Sequence, residues 1–237
     1  MLLRADVILF ASGSNGKELQ NKAAVVIDVL RASTTIITAL TNGCQAIIPA
    51  IDVTEAGELA RRLGGNCVLG GERNAQKIEG FQLGNSPLEY TTEAVGGQTI
   101  VLTTTNGTKA IRMTSGASQV LVASFANIEA IVKQLAAQDM DVSLICAGRN
   151  GGFSFEDTAC AGAIIEALKP DYLTDSARMA HIIYKSGACN SEALIAVSEH
   201  AEYLKSIGLE ADIEFCARMN WTEIIPVFQD SRLVVLR

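Results

Sequence analysis

Residues 24–50, AVVIDVLRASTTIITALTNGCQAIIPA, decide the fold. An apolar, β-branched run ends in Asp28, a polar junction follows, and a helical stretch leads through Gly43 to a second apolar run. That order is strand, helix, strand, the unit of α/β proteins. Residues 99–124, TIVLTTTNGTKAIRMTSGASQVLVAS, repeat it. Gly43 and Gly116 stand where a left-handed residue ends each helix, and Ser33 or Thr34 and Asn106 where side chains cap the starts.

Working outward, apolar runs predict strands at Ala24–Val29, Ala46–Pro49, Cys67–Gly70, Thr99–Thr103, Gln119–Ala123 and Val142–Ala147. Helical periodicity predicts Thr34–Asn42, Thr54–Leu63, Thr108–Ser115, Ile128–Gln138 and Asp157–Leu168. Beyond Pro170 the pattern gives helices at Asp175–Ser186 and Glu192–Ile207, then a last apolar run at Leu233–Leu236. The expected fold class is α/β, layered α/β/α around a mostly parallel or mixed sheet with two similar βαβ halves. A chain of 237 residues fits one such domain, and any subdivision is expected near Lys169-Pro170-Asp171.

A net charge of −7 with no run of Lys or Arg gives no footprint for a nucleic-acid backbone. A small anion is another matter, because amides and single Arg residues act locally while the long-range field is screened within about 10 Å. No apolar stretch of membrane-spanning length and no signal-peptide pattern occurs, so a cytoplasmic protein without a membrane partner is expected. Its apolar content is compatible with a homo-oligomer. The six cysteines form no CxxC pair and are expected to be free, buried thiols.

In open α/β sheets ligands collect at the carboxyl ends of strands. Asp28 and Arg31, followed by Ser33, Thr34 and Thr35, form the first polar junction, with Arg31 able to fork onto phosphate oxygens at a helix start. Thr103–Thr108 is the second, where Gly107 lets backbone approach a ligand and Thr105, Asn106 and Thr108 offer donors. The third runs from Arg149 through glycines to Glu156 and Asp157, where helix-start stabilisation and metal binding are equally good explanations of the acids. Glu72-Arg73 follows another strand, and Gly84-Asn85-Ser86-Pro87 is turn chemistry.

Cys67 and Arg73 have the spacing of cysteine phosphatases, yet Cys67 begins a strand where that chemistry needs a thiolate at a strand's end. Asp28 has no second acid two residues on, and neither GxxxxGK[ST] nor GxSxG occurs. Two histidines cannot build a histidine-rich metal cluster, which leaves an oxygen-ligand site suited to Mg²⁺.

VVIDVLRASTT (25–35), GGER (70–73), GFQLGNSP (80–87), TTTNGT (103–108) and FEDTACAG (155–162) resemble, in order, the motifs of the 2-phosphosulfolactate phosphatase family. Ser198, Leu204, Gly208, Asp212 and Cys216 follow the C-terminal pattern, while Asn220 stands where an acid is expected. The resemblance implies an Mg²⁺-dependent α/β hydrolase that converts 2-phosphosulfolactate to sulfolactate and phosphate, a step of coenzyme M biosynthesis. Asp28, Arg31, Glu72 and Asp157 are then the catalytic candidates, and Asp28, Glu72, Glu156 and Asp157 the metal ligands. Ser33, Thr34, Arg73, Asn85, Ser86, Thr105, Asn106, Gly107, Thr108 and Arg149 are candidates for binding a phosphorylated, sulfonated carboxylic acid. Alternatives are a different phosphorylated 2-hydroxy acid as substrate, phosphate transfer to an alcohol, or a module that binds a phosphorylated metabolite without turnover.

Overall fold

The computed structural model describes residues 2–11, 16–114, 116–138 and 140–236. In chain order the elements begin with β1 (Arg4–Ile8), β2 (Lys22–Ile27), α1 (Ala32–Thr41), β3 (Ala46–Pro49), α2 (Val53–Arg62), β4 (Val68–Arg73) and β5 (Gln76–Lys77). Next come α3 (Thr92–Val95), β6 (Thr99–Thr103), α4 (Gly107–Met113), β7 (Gln119–Ala123), α5 (Ile128–Ala136), β8 (Asp141–Cys146) and α6 (Phe155–Leu168). The chain closes with β9 (Tyr172–Leu173), α7 (Asp175–Ser186), α8 (Ser191–Ala196), α9 (Glu199–Ser206), α10 (Glu210–Cys216), β10 (Pro226–Gln229) and β11 (Arg232–Val235).

Among the described residues the strands form one mixed sheet in the order β5-β4-β6-β3-β11-β10-β7-β2-β8-β1-β9. Parallel pairing builds one half from β4, β6 and β3, and the other from β7, β2, β8, β1 and β9. The β10–β11 hairpin joins them, antiparallel to β7 on one side and to β3 on the other, so the halves run in opposite directions. Each echoed unit crosses this join: β2-α1-β3 leaves one half for the other and β6-α4-β7 returns. β9, beyond Pro170, pairs with β1 in the same sheet.

The alternation of β2 explains the layers, because successive side chains of a strand face opposite sides. Ala23, Val25 and Ile27 join a core with Ile131 of α5 and Ile164 of α6. Ala24 and Val26 face a second core with Ile36 and Leu40 of α1 and Ala110 and Ile111 of α4. Both faces are covered, which is why the strand reads as a continuous apolar run.

Sequence and structure differ at several places. Ser33 and Thr34 do not cap α1: Arg31 occupies the cap position without a side-chain bond, and the Asp28 carboxylate accepts the Ala32 amide instead. Asn106 holds the cap position of α4 without a side-chain bond, while Thr104 and Thr108 exchange hydrogen bonds across that turn. Gly43 ends α1 with φ of +86°, as expected of a left-handed residue. The predicted helix 192–207 is two, because the Ser198 hydroxyl accepts the Ala201 amide and starts α9 afresh. Ser115, the predicted end of α4, lies outside the described residues; α4 itself closes at Met113. Asn220 adopts φ of +50°, and its side chain joins Glu129 at the start of α5. All six cysteines are free, four of them buried.

Helices α6 and α7 pack closely at Gly162, where a methyl would run into the Ala180 carbonyl and lie 2.8 Å from Tyr184 Cβ. Gly162→Ala should therefore destabilise the fold by about 1–3 kcal/mol, the usual cost of overpacking. Chemical denaturation of both proteins measures it, and equal midpoints would contradict this packing.

Candidate functional site

Strand β2 ends at Ile27 and the chain turns at Asp28 into α1, so the carboxylate sits where two helix starts converge. One Asp28 oxygen accepts the Ala32 amide at 3.3 Å. Across from it lies Gly107, where a Cβ would come within 2.6 Å of both the other Asp28 oxygen and the Ala32 methyl. Glycine is required there by close approach of the β6–α4 junction. Glu72 is nearly buried and ties two loops: it accepts the Thr105 amide at 2.7 Å and the Ala75 amide at 2.8 Å.

These junctions open on a cavity of about 250 Å³. Of the sequence candidates, Asp28, Arg31, Glu72, Asn85, Thr105 and Asn106 line it, and Arg149 joins them from the turn after β8. Asn85 Oδ1 and Thr105 Oγ1 are buried there without a hydrogen-bond partner among the described residues. His200 and Tyr203 of α9 complete the wall and were missed in the sequence. Their spacing of three places them on one helix face, but nothing local says that this face meets the strand ends. His200 Nδ1 is held by Glu156 at 3.0 Å, and the Arg149 guanidinium stacks over the Tyr203 ring at 5.4 Å.

The other sequence candidates lie behind the wall. Ser33 Oγ accepts the Asp28 amide at 2.9 Å and Thr34 Oγ1 donates to the Val29 carbonyl. Thr108 serves its own helix turn, and Ser86 Oγ donates to Asp212 at 2.5 Å. Arg73 donates to the Glu72 carbonyl and to Thr103 Oγ1, away from the cavity lining. Asp157 accepts the Val29 amide at 2.8 Å and the Gly148 amide at 3.3 Å, bracing the ends of β2 and β8. Among the described residues no three His, Cys, Asp or Glu side chains are grouped to hold a metal by themselves.

Residues 8–231 match the family model described as 2-phosphosulpholactate phosphatase. The chain belongs to the 2-phosphosulfolactate phosphatase family. Similar relatives named "Probable 2-phosphosulfolactate phosphatase" include one from Thermotoga petrophila, 46% identical over 90% of this chain and 92% of the relative. Another, from Symbiobacterium thermophilum, is 42% identical over 93% and 97%, and one from Clostridium acetobutylicum is 36% identical over 98% and 100%. Membership makes this family's chain an enzyme of the phosphoric monoester hydrolase class. Among the described residues no helix is long and apolar enough to cross a membrane.

Burial pushes the Asp28 carboxyl up to about 6, with Glu72 and Glu156 adding to the rise while His200 and the Ala32 amide oppose it. Burial, then the charges of Glu156 and Asp28, hold Asp157 well above the usual carboxylate range. Burial would raise Glu156 too, but the hydrogen bond and charge of His200 outweigh it and leave that acid lowered.

A raised acid binds its proton more tightly in the folded than in the unfolded protein. In the metal-free phosphatase, stability should therefore fall as pH rises from the unfolded value of 3.8 through about 6. The full penalty, on the order of 3 kcal/mol, applies above that range. Asp28→Asn removes it while keeping an acceptor for the Ala32 amide. The variant should melt higher than wild type at pH 7 in EDTA, with the gap closing towards pH 4; a lower melting point at pH 7 would refute the assignment.

Proposed function

We propose that this phosphatase hydrolyses 2-phosphosulfolactate to sulfolactate and inorganic phosphate with Mg²⁺ in the cavity. The observation that carries this reading is the pairing of charges. Arg31 is matched by buried Asp212 and His200 by buried Glu156, whereas among the described residues the carboxylates of Asp28 and Glu72, which face the same cavity, have only backbone amides as hydrogen-bond partners. A site for a multiply anionic ester is thus left with unmatched acids, which makes sense only if a cation joins them.

Asp28 and Glu72 fit Mg²⁺, which usually takes one or two carboxylates and completes its shell with water and substrate phosphate. Asp28 has one oxygen free of hydrogen bonds among the described residues, and each Glu72 oxygen keeps a lone pair beyond its amide. When bound, Mg²⁺ supplies positive charge that offsets the phosphate oxygens. Glu156 and Asp157 act indirectly in this reading, one orienting His200 and the other fixing the strand ends.

Hydrolysis forms a bond from a water oxygen to phosphorus and breaks the one between phosphorus and the 2-oxygen, so that water gives up a proton and the departing alkoxide must gain one. His200 is suited to deliver it: Glu156 fixes Nδ1, so Nε2 is the nitrogen left for a ligand. Arg31 keeps three of its five N–H donors beyond its bonds to Asp212 and Ala75, and Arg149 offers a second cation for the carboxylate or sulfonate. The Thr105 hydroxyl and Asn85 Oδ1, without partners among the described residues, supply further polar contacts.

Phosphate release from a panel of phosphorylated 2-hydroxy acids, with Mg²⁺ and then with EDTA, tests the proposal. Release from 2-phosphosulfolactate should require Mg²⁺ and vanish in Asp28→Asn. Arg149→Ala should raise KM roughly tenfold, the scale of one lost charge-assisted hydrogen bond, with Arg73→Ala near wild type. Binding without release from any compound would instead identify a binding module.

A further inference from the structure

Asp212 lies far along the chain from the motifs that build the cavity wall, on α10, and is almost fully buried. One of its oxygens takes the Arg31 guanidinium at 2.6 Å and the other takes the Ser86 hydroxyl at 2.5 Å. Arg31 is fixed a second time by donation to the Ala75 carbonyl at 2.8 Å. Asn85, beside Ser86, lines the cavity with its buried Oδ1 unpaired among the described residues, and its carbonyl accepts the Thr35 hydroxyl at 2.9 Å. One carboxylate therefore clamps two segments that face the ligand: the β2–α1 junction with Arg31, and the turn that carries Asn85.

We propose that Asp212 is a positioning residue for anion recognition, acting through Arg31 and, by way of Ser86, through Asn85. A free arginine side chain has many rotamers, and holding it in one geometry by the ligand alone would cost binding energy. The clamp fixes that geometry before the anion arrives, and such preorganised donors need little rearrangement when charge shifts on the ligand. Stability alone is a poor reason for the pair, because burying two charges offsets most of their attraction. The Asp212 carboxylate also keeps Arg31 from swinging towards Asp28 and Glu72, where an internal ion pair would compete with the cation of the proposed site.

This inference rests on the phosphatase reading, but its test needs no turnover. The probe is inorganic phosphate with Mg²⁺ present, its Kd measured by calorimetry for wild type, Asp212→Asn, Arg31→Ala and the double variant. Asp212→Asn keeps the shape and one acceptor; it should weaken phosphate roughly tenfold, as expected for loss of a charge-assisted contact that orients a donor. In the Arg31→Ala background the same change should cost less, leaving only the part carried by Ser86 and Asn85, since coupled residues are not additive. Ser86→Ala, which removes one hydroxyl, takes its place if Asp212→Asn does not fold, with a loss of about threefold in the wild-type background and a smaller one in Arg31→Ala. An equal loss with and without Arg31, no loss at all, or no phosphate binding by wild type would overturn the proposal. Failure of every phosphorylated acid to release phosphate, with the coupling intact, would remove the hydrolase reading and leave the positioning role standing.

Discussion

A carboxylate at the end of a strand covered on both faces is the constraint on which the rest of the site depends. Asp28 has left bulk water, and an ionised acid there is tolerated only with donors or a cation nearby. The protein supplies the Ala32 amide and brings Gly107 against the other oxygen, so α1 and α4 start almost at the same point. Because each helix belongs to a crossover between the two halves of the sheet, that convergence also fixes how the halves meet. The acids around it follow the same logic: Glu72 and Asp157 each gather two backbone amides from separate stretches of the chain.

The second determinant is the C-terminal segment. Its hairpin, β10–β11, fills the gap between two strands that run in opposite directions, and its helices α9 and α10 carry His200, Tyr203 and Asp212 to the wall built by the N-terminal motifs. A ligand in the cavity therefore contacts elements from distant parts of the chain, and the geometry of each depends on long-range packing. Such a site is assembled by the whole fold, in contrast to a motif contained within one βα turn.

This division explains what was legible in the sequence. The β3, β6 and β7 boundaries agree with the expected ones, because two-sided burial makes apolar runs with abrupt polar ends. Asp28, Arg31 and Arg149 could be singled out since they follow such strands, and Glu72 since it stands near the end of β4. The hairpin was only half visible: β11 shows as Leu233–Leu236, while β10 begins with Pro226 and meets β7 through a single residue pair. β1 is short and alternates with partly exposed residues, so its apolar signal is diluted. Hydroxyl-rich junctions misled in another way, since Ser33, Thr34 and Thr108 look like ligand donors but satisfy backbone groups inside the fold. Whether a hydroxyl points to a cavity or to its own turn depends on tertiary packing, which periodicity does not encode.

The distribution of charge then separates recognition from chemistry. Arg31 and His200 each have a dedicated buried acid, so their positions are set by the protein rather than by the ligand. Arg149 is different: its acidic neighbour Glu199 stands 3.7 Å away and is almost fully exposed, and the main constraint on the guanidinium is the face of Tyr203. A stacked arginine retains its in-plane donors, and an exposed ion pair contributes little because water screens it. The Arg149 guanidinium is thus freer to adapt to a ligand than Arg31 and His200, which buried acids hold in place. Variation at the Arg149 and Tyr203 positions should accordingly change which acid is accepted, and variation at Arg31 or His200 should change whether any is hydrolysed.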